Sequence, residues 1–167
     1  MNYLENFNDI DTFIFDVDGV LTDSSVLVME DGKLLRKMSI RDGYAIKQAV
    51  RKGYNVCVIT GGKSEGVKTR LQNLGVRDIY LGQQDKMEAF EEYIHTYDLN
   101  PQNILYMGDD IPDYPVMRKV GLPACPGDAA PEIIHIAAYV SPYAGGDGCA
   151  RDVIEKVMRL QDRWTTD

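Results

Sequence analysis

The sequence predicts an α/β protein with a Rossmann-like parallel sheet and helices on both faces. Short apolar runs alternate along the chain with segments of helical periodicity, which is typical of repeated βαβ units. The apolar runs are continuous rather than alternating with polar residues, as expected for strands that are buried on both faces. A β-hairpin inserted after the first strand is the one interruption of this pattern.

The order of the predicted elements follows from these runs. Strands are predicted at residues 12–16, 54–59, 78–81, 103–107, 121–125 and 138–141. Helices are predicted at residues 42–52, 64–74, 85–97, 112–119 and 129–136, with a last helix at about 149–162. Because 167 residues suffice for one well-buried core and are too few for two ordinary domains, we predict a single domain over residues 1–167. No insertion is long enough to form a cap domain.

The hairpin is predicted at about residues 24–40. Two strand-like runs are joined there around Asp31-Gly32, a strong hairpin signal. A lone hairpin is marginally stable in water, and this one carries several apolar side chains that need cover. It can fold back onto its own domain, or pair with copies of itself in an oligomer.

Composition excludes several classes of function. The net charge is -8, and no stripe of Lys or Arg is present, which argues against binding to nucleic acid or to an anionic membrane surface. The first residues lack the pattern of a signal peptide, and no apolar stretch approaches the roughly 20 residues of a membrane span, so a cytoplasmic location is predicted. The cysteines Cys57, Cys125 and Cys149 do not have the spacing of metal ligands.

The first predicted strand ends in two aspartates, Asp16 and Asp18. In an extended segment residues i and i+2 point to the same side, so both carboxylates leave the strand together. Their repulsion favours a hard divalent cation bound through oxygen, usually magnesium. An aspartate can also attack phosphorus to form an aspartyl-phosphate while its neighbour carries protons. A solvated Asp-x-Asp-Gly turn is the alternative, and the pair alone does not decide between them.

Polar residues also follow the next three predicted strands. Thr60-Gly61-Gly62 follows the second, Lys86 lies in the first helical turn after the third, and Gly108-Asp109-Asp110 with Asp113 follows the fourth. Each has a structural alternative: a plain loop, a surface lysine and a helix cap, respectively. Parallel sheets bind ligands at the carboxyl ends of their strands, where glycine-rich loops and helix N-termini favour phosphate. Taken together, the four strand ends therefore predict a phosphate-handling site.

These residues carry a resemblance to a known superfamily. Asp16-Val17-Asp18-Gly19-Val20, Thr60, Lys86 and the Gly-Asp-Asp-x-x-Asp of residues 108–113 resemble the four motifs of the haloacid dehalogenase (HAD) superfamily in its phosphatase form. The resemblance implies a HAD-like fold and a phosphoric monoester hydrolase.

A narrower resemblance covers nearly the whole chain. The hairpin, Arg41-Asp42-Gly43-Tyr44 and the segment Gly145-Gly146-Asp147-Gly148 followed by Arg151 are similar to the family of 3-deoxy-D-manno-octulosonate 8-phosphate (KDO 8-phosphate) phosphatases. That family is capless and homotetrameric, its hairpins associate between subunits, and neighbouring subunits close the active site. The resemblance implies hydrolysis of a small-molecule sugar-acid phosphate in lipopolysaccharide biosynthesis.

The resemblance also implies catalytic roles. Asp16 is expected to attack phosphorus, and Asp18 to protonate the leaving sugar oxygen and then deprotonate the hydrolytic water. Thr60 and the backbone at Gly61 are expected to hold the phosphoryl oxygens, and Lys86 to offset charge between nucleophile and phosphate.

A Mg2+ ion is expected at the same strand ends. Its implied ligands are Asp16, the backbone carbonyl of Asp18, and Asp109. Asp110 and Asp113 are expected just behind these ligands, where one of them orients Lys86 or the waters of the metal.

Substrate-binding residues are expected among Arg41, Lys63 and Arg151. Arg151 suits a substrate carboxylate, which a guanidinium binds bidentately, and the glycine-rich segment before it is predicted to move as a lid. An ion pair with Glu155 at i+4 is the alternative role for Arg151.

Two positions leave the substrate open. Octulosonate phosphatases usually carry Arg where this chain has Gly62 and Asp147. Relatives that act on nine-carbon acids, 2-keto-3-deoxynononic acid (KDN) or sialic acid 9-phosphate, carry acidic residues at both. KDO 8-phosphate is favoured, and the nine-carbon substrates remain an alternative. A phospho-accepting receiver domain is a second alternative, although its acidic pair and its phosphoacceptor occur in a different order.

Overall fold

The computed structural model of the protein describes residues 3–165. The strands are β1 (Thr12–Phe15), β2 (Leu27–Val28), β3 (Leu34–Leu35), β4 (Asn55–Ile59), β5 (Asp78–Tyr80), β6 (Ile104–Met107), β7 (Leu122–Cys125) and β8 (Tyr139–Val140). The α-helices are α1 (Tyr3–Asn8), α2 (Ile40–Arg51), α3 (Glu65–Asn73), α4 (Lys86–Thr96), α5 (Tyr114–Met117), α6 (Pro131–Ile136) and α7 (Cys149–Leu160). Short 3-10 helices span Pro101–Asn103 and Ile111–Asp113.

Six strands form one parallel sheet in the order β5-β4-β1-β6-β7-β8. The chain fills one side of β1 with β4 and β5, then crosses to the other side with β6. The carboxyl ends of β1, β4 and β6 therefore border a crevice where the connections diverge, which is where such sheets bind ligands. The predicted fold class is confirmed, and residues 3–165 contain no separate cap domain. Helix α1 was not among the predicted elements.

Strand β1 is packed on both faces of the sheet. Phe13 and Phe15 lie in an apolar cluster with residues of α2 and α7, whereas Ile14 lies in a second cluster with residues of α4 and α6. All three side chains are fully buried. Because β1 also has hydrogen-bonded neighbours on both edges, the residue that follows it, Asp16, starts from a rigid position.

Side-chain caps fix the starts of three helices. Ser39 accepts a hydrogen bond from the backbone of Asp42, and Ser64 caps α3 in the same way. Asp85 accepts from the backbone N-H of Met87 at 3.0 Å, so α4 begins at Lys86. The caps therefore anchor helices around the crevice.

The hairpin is formed by β2 and β3, with Leu27 opposite Leu35. Its turn is closed by a hydrogen bond from Gly32 N to Met29 O, and Gly32 has a φ of +89°, a conformation that favours glycine. Leu27 and Val28 remain 63% and 66% exposed, whereas Met38 packs against the core. The end of the hairpin thus folds back onto its domain, while its strands present apolar side chains to solvent.

The segment Gly145-Gly146 is docked, in contrast to the predicted lid. Gly146 N donates to Val20 O at 2.9 Å, and Gly145 N donates to Asp128 Oδ1 at 3.0 Å. A Cβ on Gly145 would lie 2.0 Å from Gly19 O, so the two backbones are in direct contact.

None of the helices within residues 3–165 has the length and apolar character that a membrane span requires.

Candidate active site

Asp16 occupies the centre of the crevice at the end of β1. Its backbone N-H donates to Met107 O at 3.1 Å, which extends the ladder to β6 by one residue. Its Oδ1 accepts from Val17 N at 2.7 Å and lies 2.9 Å from Lys86 Nζ. Both of these contacts fall on Oδ1, and together they orient the carboxylate. That arrangement suits a nucleophile.

Lys86 bridges two buried carboxylates. Its Nζ lies 2.9 Å from Asp16 Oδ1 and 2.8 Å from Asp113 Oδ1, and only 5% of its side chain is exposed. Burial alone would lower the pKa of Lys86, but the two carboxylates raise it, so the ammonium stays charged.

Asp113 contacts Lys86, Tyr106 and the loop after β6. Tyr106 Oη donates to Asp113 Oδ1 at 2.6 Å, and the backbone N-H groups of Asp109 and Asp110 donate to Oδ2 at 3.0 and 3.3 Å. With Lys86, each oxygen of this fully buried carboxylate has two partners. Asp113 therefore positions Lys86 and the loop after β6.

The carboxylates of Asp16 and Asp109 lie close to other acidic groups, and their pKa values are raised. Burial, with the nearby carboxylate of Asp113, raises the pKa of Asp16 well above its usual range. The same two causes raise the pKa of Asp109 to about 6. Lys86 offsets part of this charge, and a further cation at the site would restore the ionised forms.

The geometry fits a metal ion at Asp16 and Asp109. Oxygen atoms of Asp16, Asp109 and Asp113 lie within 4.8 Å of one another. Since Asp113 is saturated with hydrogen bonds, the first two are the carboxylates available to a hard cation such as Mg2+. Gly19 makes room for Asp109: it has a φ of +89°, and a Cβ there would lie 1.8 Å from Asp109 Oδ2.

The cleft around these groups has a volume of about 510 Å³. Thr60 follows β4, and its Oγ1 accepts from Gly62 N at 3.1 Å, which shapes the loop that faces Asp16. The predicted residues that line the cleft are Asp16, Asp18, Thr60, Gly61, Lys86, Asp109, Asp110 and Asp113. Lys63 does not line it; its alkyl chain packs over Gly82.

The other two predicted substrate-binding residues lie away from this cleft in the structure. Arg41 and Arg151 line a separate cleft of about 450 Å³ beside α7. Arg151 Nε lies 3.2 Å from Glu155 Oε2, and its guanidinium stacks over the rings of Tyr44 and Trp164. The ion pair at i+4 is therefore present, and the structure does not bring Arg41 or Arg151 to the cleft of their own chain that contains Asp16.

Sequence reasoning missed Arg36 and Tyr106. Arg36 Nε donates to Asp18 Oδ1 at 2.7 Å and its Nη2 donates to Oδ2 at 3.2 Å. Arg36 lies in the predicted hairpin, and only the long-range fold brings it to Asp18. Tyr106 could have been found from the sequence, because it is the only residue of the apolar strand Ile104–Met107 that carries a hydroxyl.

Comparisons with known proteins assign the class. A sequence profile described as haloacid dehalogenase-like hydrolase matches residues 73–152. The chain is also 39% identical over 155 residues to the 3-deoxy-D-manno-octulosonate 8-phosphate phosphatase KdsC of Escherichia coli K12, covering 93% of this chain and 82% of that protein. The chain therefore belongs to the haloacid dehalogenase-like hydrolases, in the family of the KDO 8-phosphate phosphatases.

Solved structures agree with this assignment. The crystal structure of 3-deoxy-D-manno-octulosonate 8-phosphate phosphatase from Yersinia pestis has a TM-score of 0.93 and 34% identity, with 96% of this chain and 86% of that chain covered. The enzyme from Moraxella catarrhalis, in complex with magnesium ion, phosphate ion and KDO, has a TM-score of 0.93 and 27% identity, with 98% and 95% covered. The resemblance inferred from the motifs is confirmed.

Proposed function

We propose that the protein is a magnesium-dependent phosphatase that hydrolyses KDO 8-phosphate to KDO and phosphate through an aspartyl-phosphate. The observation that carries this proposal is the buried contact of Asp16 with Lys86, set beside Asp18 and Asp109 in one cleft. The identity to KdsC and the complex of the Moraxella catarrhalis enzyme support the choice of substrate and metal.

The residues of the cleft perform a two-step displacement. The carboxylate of Asp16 attacks phosphorus, while Asp18 gives a proton to the sugar oxygen that leaves. Asp18 then takes a proton from the water that cleaves the acyl phosphate. Thr60 and the backbone N-H groups around Gly61 hold the phosphoryl oxygens, and Lys86 offsets their charge throughout.

Magnesium would be held by Asp16 and Asp109, with the backbone carbonyl of Asp18 as the expected third protein ligand. When bound, the ion supplies positive charge that neutralises the phosphoryl oxygens. Asp113 and Asp110 remain behind these ligands, where Asp113 contacts Lys86.

The nine-carbon substrates remain the second candidate. Asp147 lies in the separate cleft with Arg41 and Arg151 and adds a negative charge where octulosonate phosphatases usually carry Arg. KDN or sialic acid 9-phosphate is therefore the first alternative to test. Membership of the phosphatase family excludes the receiver-domain alternative.

The assembly and location complete the proposal. A homotetramer in which hairpins associate would cover Leu27, Val28, Leu34 and Leu35, all of which are exposed in one chain. Neighbouring subunits would then bring residues such as Arg41 or Arg151 toward the cleft. We further propose that the protein is a cytoplasmic enzyme of lipopolysaccharide biosynthesis, with one domain over residues 1–167.

Turnover on a panel of phosphate esters tests the proposal. KDO 8-phosphate, KDN 9-phosphate, glucose 6-phosphate and p-nitrophenyl phosphate would be compared with magnesium and with EDTA. We expect kcat/KM for KDO 8-phosphate to exceed the others by at least about tenfold, or ~1.4 kcal/mol. Activity should vanish in EDTA and return with magnesium. A preference for KDN 9-phosphate would overturn the substrate, and full activity in EDTA would overturn the metal dependence.

A further inference from the structure

We propose that Arg36 is a specificity-determining residue whose guanidinium exchanges the carboxylate of Asp18 for the carboxylate of the substrate. The inference rests on the proposed function, because it requires a substrate that carries a carboxylate apart from its phosphate. It assigns the recognition of that group to the hairpin rather than to the strand ends.

The contact between Arg36 and Asp18 is bidentate. Nε and Nη2 each donate to a different oxygen of the carboxylate, at 2.7 and 3.2 Å. Only 8% of the Arg36 side chain is exposed, whereas 39% of the Asp18 side chain is exposed toward the cleft. A planar guanidinium matches any carboxylate in this geometry, so a substrate carboxylate can make the same two hydrogen bonds.

Gly62 leaves the space that Arg36 uses. Its φ lies outside the left-handed region, so backbone conformation does not require glycine there. A Cβ on Gly62 would lie 3.1 Å from Arg36 Nη2 and 3.4 Å from Asp18 Oδ2. A longer side chain at residue 62 would displace the guanidinium. The absence of a side chain there therefore keeps the guanidinium at the edge of the cleft.

A substrate carboxylate would bring a further negative charge to a cleft that is already acidic. Five carboxylates line it, from Asp16, Asp18, Asp109, Asp110 and Asp113. Lys86 is the one cation among its described lining residues, and it already contacts two of those carboxylates. A sugar acid adds a carboxylate to the phosphate, and Arg36 is a cation of the same chain, beside the cleft, that can receive it.

The exchange has a consequence for catalysis. While Arg36 holds both oxygens of Asp18, that carboxylate cannot approach the leaving oxygen freely. A substrate carboxylate that takes the guanidinium replaces the lost hydrogen bonds and releases Asp18 for proton transfer. A neutral sugar phosphate offers no such replacement, and Arg36 stays on Asp18.

Kinetics with two substrates tests the exchange. KDO 8-phosphate and glucose 6-phosphate would be compared in the wild type, Arg36→Ala and Arg36→Lys. In Arg36→Ala we expect kcat/KM for KDO 8-phosphate to fall by about 10- to 100-fold, the range for a lost charged hydrogen bond, mainly through KM. Glucose 6-phosphate should show no loss, because Arg36→Ala frees Asp18 from the contact that a neutral substrate leaves in place, so the ratio of the two values falls. Arg36→Lys should restore part of the ratio.

Two further variants control the experiment. Lys37→Ala removes the neighbouring exposed cation of the same hairpin and should leave both values unchanged. Gly62→Ala should shift the ratio in the same direction as Arg36→Ala, because the added Cβ meets Arg36. An equal loss on both substrates in Arg36→Ala, or no loss on either, would overturn the inference. A wild type that does not prefer acidic sugar phosphates would overturn the proposed substrate itself, together with this inference.

Discussion

The strand ends and the hairpin of this protein differ in how completely one chain builds them. At the strand ends, Lys86 and Asp113 are buried and have partners within 3.0 Å. The floor of the cleft, formed by Asp16, Lys86 and Asp113, is therefore built by residues of one chain. The hairpin has two strands of two residues, and Leu27 and Val28 lie largely in solvent. One chain therefore supplies the polar partners of these buried groups, whereas the hairpin leaves apolar side chains exposed that the proposed assembly would cover.

The largest expected effect tests the proposed role of Asp16 in the cleft. Asp16→Asn removes the proposed nucleophile, and we expect kcat to fall by at least about 10³-fold. The fold should persist, because the change also removes a negative charge from a crowded site. Single-turnover assays and thermal unfolding would measure the two effects. Normal hydrolysis by this variant would show that Asp16 is not the nucleophile.

The next effect concerns stability and separates the two regions. Lys86→Met keeps the alkyl stem but leaves two buried carboxylates without their cation. The free energy of unfolding should fall by about 3 kcal/mol. Lys33→Met on the hairpin removes an exposed ion pair with Asp31 and should cost less than ~0.5 kcal/mol. Equal losses in urea unfolding would contradict the contrast between the regions.

A third effect tests whether the hairpin joins subunits. Val26→Glu with Val28→Glu places charges on one face of the strand and should yield smaller species in size-exclusion chromatography. We expect activity to fall by about tenfold, because the neighbouring subunit of the proposed assembly would no longer close the cleft. Lys33→Glu changes the charge of the hairpin without touching an apolar residue, and should leave the assembly intact. A wild-type monomer would refute the proposed assembly.

The smallest effect uses the raised pKa of Asp109. In EDTA the folded protein holds a proton on Asp109 up to about pH 6, whereas the unfolded chain loses it near pH ~3.9. This group therefore favours folding below pH ~3.9, and its contribution is lost as pH rises toward 6. After allowance for solvent screening of this partly exposed carboxylate, Asp109→Asn should be more stable than wild type by about 1 kcal/mol at pH 7, with a smaller difference at pH 4. A difference that does not change with pH would count against this cause.

The sequence predicted the residues at the strand ends because each of them can be recognised from its immediate neighbours in the chain. Asp16, Thr60, Lys86 and Asp109 each follow an apolar run, and parallel strands bring such positions to one edge of the sheet. The six strands of the sheet were predicted for the same reason. The saturation of Asp113 was not predictable, because it depends on the exact reach of Lys86 and Tyr106.

Contacts between distant segments could not be predicted in this way. Arg36 reaches Asp18 across a hairpin whose angle to the domain is set by packing, and sequence spacing carries no record of that angle. The placement of Arg151 was ambiguous for the same reason, since both of its roles use the same charge. The helical spacing to Glu155 predicted one of them, and that contact is present.

The contact between Gly145 and Gly19 also bears on when the site can form. The loop that carries Asp18 is synthesised before residues 145 and 146, yet part of its packing surface comes from that segment. During translation the loop must wait for residues 145 and 146 to emerge before its backbone is enclosed. A nascent chain that lacks residues 145 and 146 presents its aspartates without this support, so we expect full activity only after these residues have been made.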